Sequence, residues 1–238
     1  MTAHFNEHGQ PVGFPMPGWK GVQPPPRAPM AGRYCRLEPI DPDRHAEALF
    51  RANTLERNFT YSSSGPFDSL DEYRAWIRSA CMGHDPQFFA IVDAATGQAA
   101  GIASYLRIDP KNGVIEVGHI NYSPLLQRKR AATEAMHLMM KRVFELGYRR
   151  YEWKCDSLNA PSRAAAQRLG FSYEGIFRQA LVYKGRNRDT AWYAMIDREW
   201  PELSRAFERW LDPANFDARG EQRTRLSELT APVLKQRG

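Results

Sequence analysis

The chain has 238 residues, of which 42% are hydrophobic, and this is enough apolar material for one sizeable core with additional terminal segments. No stretch approaches the roughly 18 apolar residues of a membrane helix, and residues 1–20 lack the apolar run of a signal peptide. We therefore expect a cytoplasmic protein without a membrane partner. The net charge of +6 permits an anionic ligand, but the basic residues are spread along the chain, so we predict no direct nucleic-acid binding.

The cysteines and histidines do not form a recognisable metal or disulfide pattern. Cys35, Cys81 and Cys155 are odd in number and widely spaced, which favours buried reduced thiols. The six histidines include no pair at metal-binding helical spacing. We therefore predict no metal site.

Residues 1–32 form a proline-rich and glycine-rich segment in which neither a helix nor a central strand is expected. The segment is too apolar for a free linker, which favours an extended arm that packs on the body or on a partner subunit. A disordered tail is the alternative. A homodimer is therefore one expectation. The apolar residues of this arm are Phe5, Val12, Phe14, Met16 and Trp19.

Residues 33–211 have the patterning of a globular domain, and residues 212–238 are predicted to be a polar, irregular C-terminal tail. Asp41 with the following proline opens the first helix, and Ser69 is a plausible N-cap of the second. The elements predicted for the first half are a strand at 33–40, a helix at 42–53, a helix at 69–82, and a hairpin of strands at 87–92 and 99–108.

The second half alternates strands and helices more clearly. A strand, a helix and a strand in succession predict a right-handed βαβ unit with parallel strands, and the flanking hairpins predict a mixed sheet of the α/β (α+β) class. The elements predicted here are a strand at 114–122, a helix at 131–146 ended by Gly147, a strand at 150–155, a helix at 159–169, a hairpin of strands at 171–183 and 190–196, and a helix at 201–210.

The most informative segment joins the strand that ends at Tyr122 to the helix that follows. Three basic residues, Arg128 to Arg130, surround the predicted N-terminus of that helix. The free N–H groups of a helix N-terminus carry partial positive charge, so this loop is a candidate site for a pyrophosphate or a similar anion. The alternative is a solvated run of charges at a helix start.

This loop resembles the acetyl-CoA loop of the GNAT acetyltransferase superfamily. Gln127 and Ala132 match the ends of the family pattern, whereas Arg130 occupies the position where a glycine is usual. Glycine permits backbone shapes that arginine resists. The replacement either weakens phosphate binding or substitutes a bidentate guanidinium contact for a backbone one.

Three further segments support the resemblance, which extends over residues 33–199. Residues 114–122 are similar to the strand that pairs with pantetheine, residues 159–162 to the Asn-x-x-Ser turn, and residues 168–175 to the Leu-Gly-Phe and Glu-Gly signature of the RimJ/RimL-like branch. The resemblance implies the GNAT fold, acetyl-CoA as cosubstrate and N-acetyltransferase activity. The cofactor-binding residues that it implies are Ile120, Tyr122, Gln127, Arg128, Lys129, Arg130, Ala131, Ala132, Thr133, Asn159 and Ser162.

The resemblance also suggests catalytic groups. Glu116 corresponds in position to the base carboxylate of histone-type members, although a structural ion pair is the alternative. His119 is a rival base, and strand alternation places it on the opposite face. Ser162 matches the serine suggested for the leaving thiolate, and otherwise it is an ordinary first-turn serine. Many members have a tyrosine where this chain has Ala166, and no Cys/His arrangement supports an acyl-enzyme at Cys155.

The acceptor amine is expected to bind between residues 59–67 and residues 184–192. Arg186, Arg188 and Asp189 could line that groove, or they form a solvated hairpin tip. The RimJ/RimL-like resemblance suggests a protein N-terminal α-amine, with a ribosomal protein as a candidate. The alternatives are a small amine such as an amino acid, a polyamine or an antibiotic, and a CoA-binding module without catalytic activity.

Overall fold

The computed structural model describes residues 3–238. The strands are β1 (His4–Phe5), β2 (Pro11–Val12), β3 (Met30–Ala31), β4 (Cys35–Pro39), β5 (Gln87–Asp93), β6 (Ala99–Asp109), β7 (Val114–Tyr122), β8 (Arg150–Asp156), β9 (Ser172–Tyr183) and β10 (Arg186–Ile196). The α-helices are α1 (Pro42–Ala52), α2 (Leu70–Ala80), α3 (Arg130–Glu145), α4 (Ala160–Arg168), α5 (Trp200–Leu211) and α6 (Leu226–Thr230), with short 3₁₀ helices at Glu56–Phe59 and Pro213–Asn215.

Eight strands form one mixed sheet in the order β3-β4-β5-β6-β7-β8-β10-β9, and β1 pairs with β2 in a separate hairpin. Neighbours in the large sheet are antiparallel except for β7 and β8, which are parallel and connected through α3. This confirms the predicted βαβ unit and the mixed α/β (α+β) class. None of the helices in the described part of the chain is long and apolar enough to cross a membrane.

Apolar side chains cover both faces of the sheet. On β5, Phe89 and Ile91 belong to the larger core under α3 and α5, whereas Phe88 and Val92 belong to the smaller core under α1 and α2. Successive side chains of a strand point to opposite faces, so a strand with helices on both sides must be apolar throughout. The continuous apolar run of β5 therefore places it in the middle layer.

Side-chain caps fix the start of both early helices as predicted. The Asp41 carboxylate accepts hydrogen bonds from the second and third residues of the helix that follows, and the Ser69 hydroxyl accepts one from the backbone N–H of Glu72. The strand predicted at 33–40 is shorter in the structure, where it is β4 and begins at Cys35. The backbone N–H groups of Arg33 and Tyr34 donate to the carboxylate of Glu134 on α3 rather than to a neighbouring strand.

The N-terminal arm packs on the body over its second part. The indole N–H of Trp19 donates to the carbonyl of Lys111 at 2.9 Å, and the guanidinium of Arg142 donates to the carbonyls of Ala28 and Pro29 at 2.6 and 2.7 Å. These contacts hold residues 19–31 against one end of the sheet. They favour the packed arm over a disordered tail.

The prediction that residues 212–238 form an irregular tail is wrong, because this segment is folded. It contains the 3₁₀ helix and α6, and the side chains of Leu226 and Val233 are buried in the larger core. The amide of Lys235 donates to the hydroxyl of Ser172 on β9. The spacing of the apolar residues at 226, 229 and 233 is the helical signal that indicates this packing.

Candidate active site

Strands β7 and β8 separate in the middle of the sheet. Their parallel pairing extends from Val114 with Arg150 to Val117 with Trp153 and then stops, while each strand continues to pair with its outer neighbour. The inner edges beyond this point carry backbone N–H and C=O groups that face a gap. An extended ligand with amides of its own can pair with such an edge.

A β-bulge on β7 sits at the mouth of this gap. Between two paired positions β7 contributes His119 and Ile120, whereas β6 contributes only Ala103, and His119 has a φ of 48°. An additional residue on one strand reverses the alternation of side chains beyond it. The prediction that Glu116 and His119 lie on opposite faces of β7 is therefore wrong. Both side chains line the same cleft.

The gap opens into a cleft with a volume of about 1630 Å³. Segments that are distant in sequence form its walls, and they include the regions implicated by the sequence, the C-terminal segment, and side chains of α2 and β6 such as Trp76 and Leu106. The other lining segments are residues 57–64, the second half of β7, the end of β8, the loop before α3 with the first turn of α3, one side of α4, the β9–β10 hairpin, and residues 222 and 225–227.

Glu116 lies in the floor of the cleft within a network of charges. Its carboxylate is 2.7 Å from Nη1 of Arg107 and 2.8 Å from Nζ of Lys154, and only 4% of its side chain is exposed. Lys154 also contacts the carboxylate of Glu152 at 2.8 Å and lies over the ring of Trp192. Burial raises the pKa of Glu116, and the two cations oppose that increase. These contacts favour the alternative interpretation of Glu116, in which its carboxylate forms a structural ion pair.

His119 has a defined hydrogen-bonding partner on one side of its ring. Nδ1 lies 2.8 Å from the hydroxyl oxygen of Ser104, and that hydroxyl donates to the carbonyl of Gly118. A tautomer with the proton on Nδ1 satisfies both contacts, because the Ser104 oxygen then accepts from Nδ1–H, and this tautomer leaves Nε2 with a free lone pair. Burial lowers the pKa of His119, and the charge of Arg107 adds to the decrease. The imidazole is consequently neutral near pH 7.

The loop before α3 shows a second departure from expectation. The residue with the left-handed backbone is Arg128, with a φ of 62°, whereas Arg130 is already the first residue of α3. A helical backbone suits arginine, so this position needs no glycine. The Arg130 guanidinium lies between the rings of Tyr34 and Phe216, at 5.1 and 4.3 Å from their centroids. The prediction that this guanidinium contacts a phosphate is therefore wrong.

Most of the other cofactor residues suggested by the resemblance come together in the cleft, whereas Ala131, in the first turn of α3, is buried in the larger core. The amide group of Gln127 donates to the carbonyl of Tyr122 at 2.8 Å, which holds the loop against the end of β7. Asn159 caps α4 with its side-chain oxygen, so its NH₂ group is left to donate to a ligand. The predicted residues that line the cleft are Ile120, Tyr122, Gln127, Arg128, Lys129, Ala132, Thr133, Asn159 and Ser162.

Ser162 retains a hydroxyl proton that it can donate. Its oxygen accepts the indole N–H of Trp153 at 3.0 Å, and the proton of the hydroxyl can therefore point to a ligand atom in the cleft. Ala166, at the position of the family tyrosine, is buried and offers no acid. Burial raises the pKa of the Cys155 thiol, which disfavours a nucleophilic thiolate there.

The two segments predicted to bind the acceptor amine contact each other. Lys184 in the β9–β10 turn donates to the carbonyl of Phe59 at 2.9 Å, and Arg186 donates to that of Thr60 at 2.8 Å. Arg186 therefore fixes the hairpin to the opposite wall, and Asp189 accepts a hydrogen bond from the backbone of its own hairpin. Of the three predicted polar residues, Arg188 lines the cleft.

Two groups of cleft residues were missed in the sequence. Asp156, at the end of β8, is buried and accepts a hydrogen bond from the hydroxyl of Tyr183 at 2.8 Å. Arg168 directs Nη2 to the hydroxyl of Thr133 in the first turn of α3, at 3.1 Å. Arg168 belongs to the Arg-Leu-Gly-Phe motif, but the motif does not say which way its side chain points. The other group is Gln222, Arg225, Leu226 and Ser227 of the C-terminal segment.

Comparison with known proteins agrees with this arrangement. Residues 35–172 match the family described as acetyltransferase (GNAT) domain. A GCN5-related N-acetyltransferase from Brucella melitensis is 47% identical, with a TM-score of 0.89 over 91% of this chain and 100% of that one. The Bacillus subtilis (strain 168) protein named "Putative ribosomal N-acetyltransferase YdaF" is 27% identical over 69% of this chain and 90% of its own length.

A structure of RimL, a ribosomal L7/L12 alpha-N-protein acetyltransferase in complex with coenzyme A, shares the fold at 24% identity. Its TM-score is 0.58, over 69% of this chain and 95% of that one. The family match covers more than half of the chain, and members of this family use acetyl-CoA. This chain therefore belongs to the GNAT family and is an N-acetyltransferase with RimJ/RimL-like relatives.

Proposed function

We propose that this enzyme acetylates the N-terminal α-amine of a protein with acetyl-CoA bound in the cleft. The observation that carries the choice of a protein substrate is the apolar rim of the cleft. Phe177 and Leu181 line the cleft while 57% and 46% exposed. A cluster of exposed apolar side chains beside a site is typical of a surface that another macromolecule covers. The names of YdaF and RimL support a ribosomal protein as the candidate.

The residues present fit the chemistry of acetyl-CoA. The inner edge of β7 beyond Val117 offers backbone groups to the amides of pantetheine. The start of α3, with Arg128 and Lys129 beside it, suits the pyrophosphate. Asn159 adds a free amide donor next to that path. When bound, acetyl-CoA supplies the thioester carbonyl that an amine attacks.

His119 is the group that we propose to accept the proton of the attacking amine. Its imidazole is neutral, and the tautomer with the proton on Nδ1 has a free Nε2 lone pair, whereas the Glu116 carboxylate is held by two cations. In the exchange the amine nitrogen bonds to the acetyl carbon, the carbon–sulfur bond breaks, and the amine proton moves to Nε2. We assign the Ser162 hydroxyl to donate a hydrogen bond to the leaving sulfur, since its oxygen already accepts from Trp153 and its proton is left to donate. Glu116 remains the second candidate, acting through water.

The test compares acceptors under identical conditions. The enzyme is incubated with acetyl-CoA and free-amine peptides, the same peptides blocked at the N-terminus but carrying lysine, and a set of amino acids, polyamines and aminoglycosides. We expect acetylation of free N-termini only, read by mass spectrometry of the products. Turnover of small amines alone would replace the proposal with the small-molecule alternative, and CoA binding without any turnover would favour a non-catalytic module.

A further inference from the structure

We infer that residues 212–238 form a wall of the CoA site and that Arg225 binds a phosphate group of CoA. The inference rests on the proposed binding of acetyl-CoA in the cleft. It concerns a segment that lies outside the part of the chain that matches the family, residues 35–172.

The C-terminal segment borders the part of the cleft next to the start of α3. Gln222, Arg225 and Ser227 line the same cleft as Arg128 and Lys129. Two direct contacts join the segment to the elements beside them. The ring of Phe216 packs on the Arg130 guanidinium at the first residue of α3, and the hydroxyl of Thr230 donates to the carbonyl of Arg168 at 3.1 Å. The wall therefore faces the end of the cleft that is expected to hold phosphates.

Four cations line this part of the cleft without a counter-charge from the protein. Within the described residues 3–238, no ion pair with a carboxylate involves the side chains of Arg128, Lys129, Arg168 or Arg225. On the floor of the cleft, by contrast, Arg107 and Lys154 are paired with carboxylates. Burial lowers the pKa of Arg168, because desolvation disfavours the charged form of its guanidinium. The phosphates of CoA are anions of the required kind.

The wall is held in one position before any ligand binds. The buried side chain of Asn215 donates to the carbonyls of Trp210 and Thr224, both at 3.1 Å, and accepts from the backbone N–H of Thr224. The indole N–H of Trp210 donates to the side chain of Gln222 at 2.8 Å. Leu226, next to Arg225, is buried in the core. The backbone that carries Arg225 is thus preorganised, which reduces the entropy lost on binding.

The experiment measures the Kd for CoA and for dephospho-CoA by calorimetry with the full chain. We compare the wild type with Arg225→Ala and with the matched control Arg223→Ala, an exposed arginine of the same segment that does not line the cleft. Loss of one charge-assisted phosphate contact should weaken CoA binding about tenfold in Arg225→Ala. The Arg223→Ala variant should stay within about twofold of the wild type, and Arg225→Lys should recover part of the loss.

The two ligands distinguish the phosphates. If Arg225 contacts the 3′-phosphate, the tenfold loss disappears with dephospho-CoA; if it contacts the pyrophosphate, the loss persists, and either result supports the inference. Equal Kd values for Arg225→Ala and Arg223→Ala would overturn it. A wild type that binds neither ligand would instead overturn the proposed function. Melting temperatures of all variants check that the exposed substitutions leave the fold intact.

Discussion

The Nδ1 atom of His119 lies 2.8 Å from the hydroxyl oxygen of Ser104 on the neighbouring strand. The contact exists because the bulge on β7 turns the imidazole toward β6 and the cleft. It fixes the ring, and it is compatible with the tautomer whose Nε2 can accept a proton. The first prediction follows from this pair.

His119→Ala should lower kcat by about 100-fold or more, because positioned general bases contribute at least that much. In the wild type, kcat/KM should fall as the pH drops through the pKa of His119, which burial holds below its ordinary value of 6.5. In the variant, this decrease of kcat/KM at low pH, the acidic limb of the pH profile, should be absent. Ser104→Ala serves as the control, since it frees the tautomer and should reduce kcat less. An unchanged acidic limb in His119→Ala would show that another group titrates.

Glu116→Gln separates a structural carboxylate from a catalytic one. Removing the charge leaves the buried Lys154 with one carboxylate partner and should lower the free energy of unfolding by about 3 kcal/mol, measured by urea denaturation. The exposed Glu145→Gln, which loses only a 3.8 Å pair with Lys141, should lower it by less than about 0.5 kcal/mol. A loss of kcat above about 100-fold in Glu116→Gln, with stable protein, would instead identify Glu116 as the base.

His137 should make the fold sensitive to acid. Its ring stacks on Phe207 of α5 at 5.1 Å, and burial lowers its pKa from 6.5, with Lys141 acting in the same direction and Glu208 and Glu134 opposing it. The unfolded chain therefore takes up a proton at a higher pH than the folded protein does. The free energy of unfolding should fall as the pH drops below about 6.5. In His137→Phe this part of the pH dependence should disappear from urea-denaturation midpoints.

Arg130→Gly restores the residue that the family pattern favours, and we expect it to be harmful here. The change removes the guanidinium from between Tyr34 and Phe216 and adds a glycine to the first turn of α3, at a combined cost of about 1–2 kcal/mol. Thermal unfolding checks the loss, and Arg130→Lys should retain part of the stability. Tighter CoA binding by Arg130→Gly would contradict the corrected role of this arginine.

Local signals in the chain predict the elements that build the site. Asp41 and Ser69 mark helix starts because a cap requires only residues that are close in sequence. The same holds for the βαβ unit from β7 to β8, since the periodicity of each element is visible in its own residues. The resemblance adds the loop from Gln127 to Thr133, and most of its residues line the cleft as expected.

The features that could not be predicted depend on pairing between distant segments. The bulge at His119 is a matter of register between β6 and β7, and no residue pattern within β7 determines it. The direction of Arg130 depends on Tyr34 and Phe216, which lie far away on either side in the chain. Arg225 enters the cleft only because Leu226 is anchored in the core. Each of these is a tertiary relationship.

The sandwich of Arg130 between Tyr34 and Phe216 has an evolutionary consequence. A glycine at the position of Arg130 leaves two aromatic rings without their cation, and a chain that lacks the C-terminal segment leaves the arginine without one of its rings. The three positions should therefore change together among relatives. We expect homologues with the arginine to carry both aromatic residues and the additional segment, and homologues with the glycine to lack the aromatic residue of the tail. This co-variation would divide the relatives into two lineages that differ in how they hold the nucleotide.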